Sequence, residues 1–198
     1  MNWILASASP RRKEILEHLG LKLTVITSDA DECIAPCSAE EMVKELSKRK
    51  VKAVFDSLQK PLPKGTVIIG ADTVVRSPDG EIFGKPHDRA DAARMLRVLS
   101  GREHHVISGI CICNENGVMH TAAEVTGVVF SALSEQTIAY YVASGECDDK
   151  AGAYGVQDTA ALWISGLHGD YFNVVGLPVH RLESLLQEAF GISLLNRQ

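Results

Sequence analysis

Three charged side chains stand where the hydrophobic pattern predicts burial. In the segment SPRRKEILEHLG (9–20), apolar residues recur at helical spacing and Arg12 falls in the middle of their face. Lys50 falls in the same way on the apolar face of a second predicted helix, and Asp72 lies in the strand TVIIGADTVV (66–75), which is apolar on both sides. Because a buried charge without a partner is costly, each of these side chains needs an opposite charge or a bound ligand.

Phosphate and a divalent metal are the ligands that suit such a set. Arginine grips phosphate oxygens bidentately, lysine adds a point charge, and carboxylate oxygens hold hard cations. Lys85 in FGKP and the acidic stretch SDADE (28–32) lie nearby in sequence. Together these residues favour attack on a phosphoryl group by a water that a carboxylate orients or deprotonates.

Each residue alone also has a plainer interpretation. An aspartate at a strand end often accepts hydrogen bonds from loop amides, and a lysine on an apolar helix face often extends its ammonium to water. An acidic loop is most often solvated. The case for chemistry therefore depends on the residues lying together.

The elements that must position these side chains can be traced along the chain. A strand at 3–6 leads to a helix that begins at Pro10, and the capping box of Ser38 and Glu41 begins a helix that runs to about Phe55. We further expect a short strand EIFG, a helix ending near Leu99, a hairpin about NENG, a helix from Ser134 to Ser144, a strand at LWIS and a helix from Pro178. This order predicts an α/β fold with a mixed central sheet and flanking helices.

Composition narrows the class of protein. The 198 residues, 45% hydrophobic and 23% charged, predict a single domain over residues 1–198. The net charge of -5 argues against nucleic acid and anionic membranes as partners. The five cysteines are odd in number and lack paired CxxC spacing, which favours neither disulfides nor zinc and fits a cytoplasmic protein.

Several familiar catalytic motifs are missing from the sequence. It contains no GxxxxGK[ST], GxGxxG, HExxH or GxSxG pattern. P-loop, dinucleotide-binding, zincin and hydrolase-elbow chemistries therefore lack support.

The segments that carry the unusual charges resemble one known family. LASASPRR, LSKRK, IGADTVV, GKP, MLRVLSGREHHVISG, YYVASGECDDKAGAYGVQ and GDYFNVVGLP are similar, in order and spacing, to the Maf (septum formation protein homologue) nucleotide pyrophosphatases. The resemblance runs from residue 3 to about residue 182. It implies a Maf/inosine-triphosphatase-like fold with two lobes around a cleft, and a homodimer.

The resemblance also implies an activity and its residues. Nucleoside triphosphates would be hydrolysed between the α and β phosphates, with Mg²⁺ or Mn²⁺, to a monophosphate and pyrophosphate. Asp72 is expected to be the catalytic proton acceptor and, with Glu32, a metal ligand. The expected phosphate-binding residues are Ser7, Arg12, Lys50 and Lys85. On this view the arginines of SPRR enter a helix N-terminus because that end faces the phosphates.

Residues that separate substrate branches within the family point to pyrimidines. Arg11, Thr73 and Gln157 resemble the branch that cleaves dTTP and UTP, and the amide of Gln157 both donates and accepts, as a pyrimidine edge requires. Two departures concern the same loop: Ala153 replaces a usual glycine, and Asp158 with Thr159 follows Gln157 where glycine is usual.

Other functions remain open at this point. A nucleotide-binding regulator of cell division would keep the basic residues without needing a base or metal ligand. A phosphatase releasing orthophosphate is a further alternative, and DNA binding fits the acidic net charge poorly. Whether the substrate is a standard or a modified nucleotide is also open.

Overall fold

The computed structural model describes residues 1–27, 30–31, 33–35 and 37–195. Strands and helices alternate in the first half of the chain, and a long hairpin occupies its middle. The strands are β1 (Asn2–Leu5), β2 (Leu23–Val25), β3 (Thr66–Arg76), β4 (Ile82–Phe83), β5 (Glu103–Asn114), β6 (Met119–Phe130) and β7 (Ile164–His168). The helices are α1 (Pro10–His18), α2 (Ala39–Ser57), α3 (Arg89–Leu99), α4 (Glu135–Ser144), α5 (Tyr171–Val175) and α6 (Val179–Phe190).

The strands form one mixed sheet in the order β2-β1-β3-β5-β6-β7, and β4 pairs with β3. The expected α/β class with a mixed sheet and helices is confirmed. Contacts divide the chain into two compact units: unit 1 comprises 1–72, 108–124 and 176–198, and unit 2 comprises 73–107 and 125–175. The prediction of a single domain, and that of a cleft between lobes, stay predictions.

Unit 1 is built on a parallel arrangement of its first strands. β1 pairs in parallel with both β2 and β3, and its residues from Trp3 to Leu5 are buried. Apolar residues of α2 pack against this sheet, as continuous burial of a parallel strand requires. The shared core contains Ile4, Ala6, Val51, Val54, Ile68, Cys111 and Cys113.

Local signals begin the helices of unit 1. The capping box is confirmed, because the Ser38 hydroxyl accepts from the Glu41 amide and the Glu41 carboxylate accepts from the Ser38 amide. α1 begins at Pro10 as expected, although the side chain of its N-cap residue Ser9 makes no capping hydrogen bond. Instead the Ser9 amide donates to the hydroxyl of Ser7 at 3.2 Å.

Unit 2 has its own apolar core. Helices α3 and α4 pack together, β4 runs antiparallel to the end of β3, and β7 runs antiparallel to β6. The largest fully buried side chains of this core include Tyr141, Phe83, Phe130, Leu96 and Leu99. None of the helices in the described ranges has the length and apolar character that crossing a membrane requires.

The end of unit 2 differs in detail from expectation. The strand predicted around LWIS is present but begins two residues later: β7 starts at Ile164, and a 3₁₀ turn, Thr159–Leu162, precedes it. The short helix α5 was not expected, because five residues are too few to show a hydrophobic period. The final helix was placed correctly.

Ala153 tests the cost of replacing a usual glycine. Its φ of 62° lies in the left-handed region, where a Cβ is unfavourable by about 1–2 kcal/mol. We expect Ala153→Gly to relieve this strain and raise the free energy of unfolding by up to about 1 kcal/mol. The gain is smaller than the strain because glycine has more freedom in the unfolded chain. The control is Ala93→Gly inside α3, which should lower it by about 1 kcal/mol. Urea denaturation measures both, and an equal loss in the two variants would contradict the strain.

His104 makes stability depend on pH. It is fully buried, its Nε2 lies 2.8 Å from the Tyr154 hydroxyl, and burial lowers its pKa from 6.5 to about 4. Between these values the unfolded chain binds a proton that the folded chain does not, so this contribution is complete above pH 6.5 and is lost as pH falls toward 4. The expected loss is up to about 3 kcal/mol.

Substitution isolates this contribution from that of the carboxylates. His104→Gln should flatten the fall of unfolding free energy between pH 7 and pH 4, whereas His180→Gln, at an exposed position of α6, should change the slope much less. Denaturation series at several pH values provide the measurement. The same slope in both variants would contradict a neutral His104.

Candidate active site

The charged residues that the sequence singled out in α2 and β3 are partners. The Lys50 ammonium donates to Oδ1 of Asp72, and the two side chains are 18% and 13% exposed. Each therefore supplies the opposite charge that the other requires. The pair places a carboxylate and an ammonium together at the middle of an apolar strand.

Gly70 explains why α2 can come so close to β3. A Cβ at this position would lie 2.5 Å from Cγ2 of Val51 and 3.2 Å from the carbonyl oxygen of Ser47. Both of those residues belong to α2, next to Lys50 in sequence or one turn before it. The bare backbone at Gly70 therefore lets Lys50 reach Asp72.

Arg12 reaches the same strand from α1. Its Nη1 donates to the carbonyl oxygen of Ala71 at 2.8 Å and to the hydroxyl of Ser7 at 3.1 Å, and its Nε donates to the carbonyl oxygen of Gly176 at 2.9 Å. Ala71 directly precedes Asp72. Four predicted site residues of unit 1, namely Ser7, Arg12, Lys50 and Asp72, are thus brought together.

The acidic loop is only partly described. Glu32, the predicted metal ligand, lies outside the described residues. Arg49 donates to the carbonyl oxygens of Asp31 and Cys33 at 3.0 and 2.8 Å, and to the Glu45 carboxylate at 2.9 Å. Sequence reasoning missed this role, because Arg49 lies among several basic residues of LSKRK and its acceptors in the acidic loop are backbone atoms.

The other predicted residues are divided between the two units. Thr73 is half-buried, as is Arg11 in α1 of unit 1, whereas Lys85 and Gln157 are exposed. The amide of Gly152 donates to the carbonyl oxygen of Gly84 at 3.0 Å. This bond connects the segment that carries Lys85 with the loop that leads to Gln157.

The described residues form no metal site from protein groups alone. Within residues 1–27, 30–31, 33–35 and 37–195, no three His, Cys, Asp or Glu side chains are placed to hold an ion together. Mg²⁺ commonly takes one or two carboxylates and completes its shell with substrate phosphates and water. The oxygen donor chemistry of Asp72 fits such an ion.

A solved structure shares this fold. The HAM1 protein from Coxiella burnetii superposes with a TM-score of 0.50 at 16% identity, covering 96% of this chain and 100% of that one. A likeness at this identity shows the fold alone. It agrees with the mixed sheet and flanking helices described above.

The family follows from the sequence match. Residues 2–189 match the family model described as Maf-like protein, and the chain therefore belongs to the Maf-like protein family. A protein of Symbiobacterium thermophilum named dTTP/UTP pyrophosphatase is 46% identical over 189 residues, covering 95% of this chain and 93% of the relative. A protein of the same name from Geobacillus sp. is 49% identical over 179 residues, covering 90% and 92%.

Arg12 gives a prediction about stability without nucleotide. Arg12 uses two nitrogens, Nε and Nη1, to reach the Ser7 hydroxyl and the carbonyl oxygens of Ala71 and Gly176. A lysine has only one nitrogen for them, so Arg12→Lys should lower the free energy of unfolding by about 1–3 kcal/mol. The control is Arg181→Lys in α6, which should have a smaller effect because a lysine can keep the ion pair with Glu188 at 3.4 Å. Urea denaturation of the unliganded protein compares them, and equal losses would contradict the bridging role of Arg12.

Proposed function

We propose that this chain is a nucleoside triphosphate pyrophosphatase that hydrolyses dTTP and UTP to the monophosphate and pyrophosphate. The observation that carries the proposal is the Lys50–Asp72 ion pair, together with the hydrogen bond from Arg12 to Ala71, the residue before Asp72 on β3. It combines a shielded carboxylate with cationic groups, as water attack on a phosphate chain requires. Relatives at 46% and 49% identity that are named dTTP/UTP pyrophosphatase support the substrate.

In the proposed mechanism, Asp72 accepts a proton from the water that attacks the α phosphorus. Lys50 orients the Asp72 carboxylate through this ion pair, and its positive charge attracts phosphate oxygens. Arg12 and Ser7 bind phosphate oxygens beside β3, because Arg12 is already hydrogen-bonded to the Ser7 hydroxyl and to the Ala71 carbonyl oxygen of that strand. Pyrophosphate leaves as the bond between the α-phosphorus and the bridging oxygen breaks.

Residues of both units complete the proposal. Lys85 is exposed and follows β4, and we assign it to phosphate binding from the family resemblance. We assign base selection to Arg11, Thr73 and Gln157, following their resemblance to the dTTP/UTP branch. An amide that donates and accepts at once matches the edge of thymine or uracil.

A divalent cation, Mg²⁺ or Mn²⁺, is part of the proposal. Asp72, with the predicted ligand Glu32, would hold it, and when bound it would polarise the phosphate oxygens and stabilise the charge of the leaving group. Lys50 and Arg12 then share the neutralisation of the phosphates. We also propose a homodimer in the cytoplasm, with neither nucleic acid nor membrane as partner, from the family resemblance and the acidic net charge.

A regulator without turnover is the weaker alternative. It would have no use for a carboxylate held at a strand centre by a lysine, because that arrangement suits a proton acceptor. A phosphatase releasing orthophosphate would use the same residues, and its products would distinguish it. The Lys50–Asp72 pair and the names of the relatives both favour the pyrophosphatase.

Asp72→Asn tests the proposed base. With Mg²⁺ present, we expect dTTP and UTP to be the best substrates in a panel of canonical and modified triphosphates. Asp72→Asn should lower kcat by about 10²–10⁴-fold while the protein still binds nucleotide, because the asparagine amide cannot accept the proton. Chromatography that separates monophosphate, diphosphate, pyrophosphate and orthophosphate identifies the bond that is cut.

The control is the exposed pair that Lys52 and Asp56 form on the outer face of the same helix. Asp56→Asn should keep full activity. Undiminished turnover by Asp72→Asn would remove Asp72 from the base role, and a preference for purines would contradict the roles of Thr73 and Gln157. Release of orthophosphate instead of pyrophosphate would favour a phosphatase.

A further inference from the structure

Gln157 stands in a tight turn. The Asp158 amide donates to the carbonyl oxygen of Gly155 at 3.2 Å, which closes a four-residue turn with Gln157 in its third position. The Gln157 side chain is exposed. Such a turn presents an amide to a ligand only if its ends are held still.

The end of this turn is held by a buried lysine. Lys150 has a side chain that is 10% exposed, and its Nζ lies 3.0 Å from Oδ2 of Asp158 and 3.0 Å from Oδ1 of Asp149. It also donates to the carbonyl oxygen of Glu146. Because a buried ammonium depends on its carboxylates, the Asp158 contact ties the turn to the 146–150 segment.

The start of the turn is fitted closely around the same lysine. A Cβ at Gly155 would lie 2.4 Å from Oδ2 of Asp158 and 2.6 Å from Cε of Lys150. The Gly155 amide donates to the hydroxyl of the buried Tyr141 at 3.3 Å. Glycine is therefore what allows Lys150 and Asp158 to close over the turn.

A second contact secures the residue after Asp158. The amide and hydroxyl of Thr159 donate to the two carboxylate oxygens of Glu146 at 2.9 and 2.7 Å. Asp158 and Thr159 are the two residues that depart from the usual glycine, and each has a charged partner in the 146–150 segment. The departures thus replace a flexible position with an anchored one.

We propose that Lys150 and Asp158 are positioning residues that orient Gln157 and so set the selectivity for the base. This inference rests on the proposed function, in which Gln157 contacts the pyrimidine. An amide distinguishes bases only when its donor and acceptor are held in register, and an anchored turn removes the entropy cost of ordering it upon binding. Lys150 acts through Asp158 and touches no reacting atom.

Two alanine substitutions separate the turn contact from the other partner of the same lysine. Asp158→Ala leaves Lys150 paired with Asp149, and the control Asp149→Ala leaves it paired with Asp158. We expect Asp158→Ala to raise KM for dTTP and UTP by roughly 10- to 100-fold with kcat little changed, and to lower the preference for them over dCTP and dATP. Asp149→Ala should behave as the wild type.

A conservative variant guards against a general loss of structure. Asp158→Asn keeps an oxygen acceptor for Lys150 and should recover part of the selectivity lost in Asp158→Ala. Amide hydrogen exchange of residues 155–159, measured without nucleotide, should rise in Asp158→Ala and stay unchanged in Asp149→Ala. This readout reports on the turn independently of activity.

The outcomes separate the two claims. If the wild type hydrolyses dTTP and Asp158→Ala keeps the same KM and the same base preference, the positioning role is wrong and the proposed function stands. Equal effects of Asp149→Ala and Asp158→Ala would also refute it. If the wild type hydrolyses no nucleoside triphosphate, the proposed function fails and this inference with it.

Discussion

The candidate site depends on the ion pair of Lys50 and Asp72, in which each side chain neutralises the charge of the other. Either charge alone would be unfavourable, one on the apolar face of a helix and the other within a buried strand. Because the partners lie on α2 and β3, satisfying them fixes the helix against the strand. Gly70 makes that approach possible, and Arg12 reinforces it by bonding to the residue before Asp72.

Periodicity in the sequence was enough to single out the charged residues but not to show which of them are in contact. Arg12, Lys50 and Asp72 could be recognised because each interrupts the regular apolar pattern of a helix or strand. Lys150 lies instead in the irregular loop CDDKAG, where no period exists and a lysine among acids resembles a solvated surface. Its burial is decided by Asp158 and Gly155, which only the tertiary fold brings near.

The structural role of Arg12 is compatible with its proposed role in phosphate binding. Its hydrogen bonds to Ser7, Ala71 and Gly176 go to hydroxyl and carbonyl oxygens, and these uncharged acceptors orient a guanidinium without themselves cancelling its charge. Arginine has five donors in a rigid fork, so a side chain held by some of them can still direct others at a phosphate. A guanidinium that is already ordered by hydrogen bonds loses less conformational entropy when an anion binds.

A carboxylate that activates water beside a polyphosphate faces an electrostatic difficulty. Its negative charge repels the substrate, yet the same charge is needed to accept a proton. A lysine in direct contact with the carboxylate reduces the repulsion while leaving the second carboxylate oxygen for water. Lys50 and Asp72 meet this requirement within unit 1, whereas the anchored turn of Gln157 belongs to unit 2. Under the proposed function, Asp158 and Thr159 can therefore differ from the usual glycine without removing a contact of the Lys50–Asp72 pair.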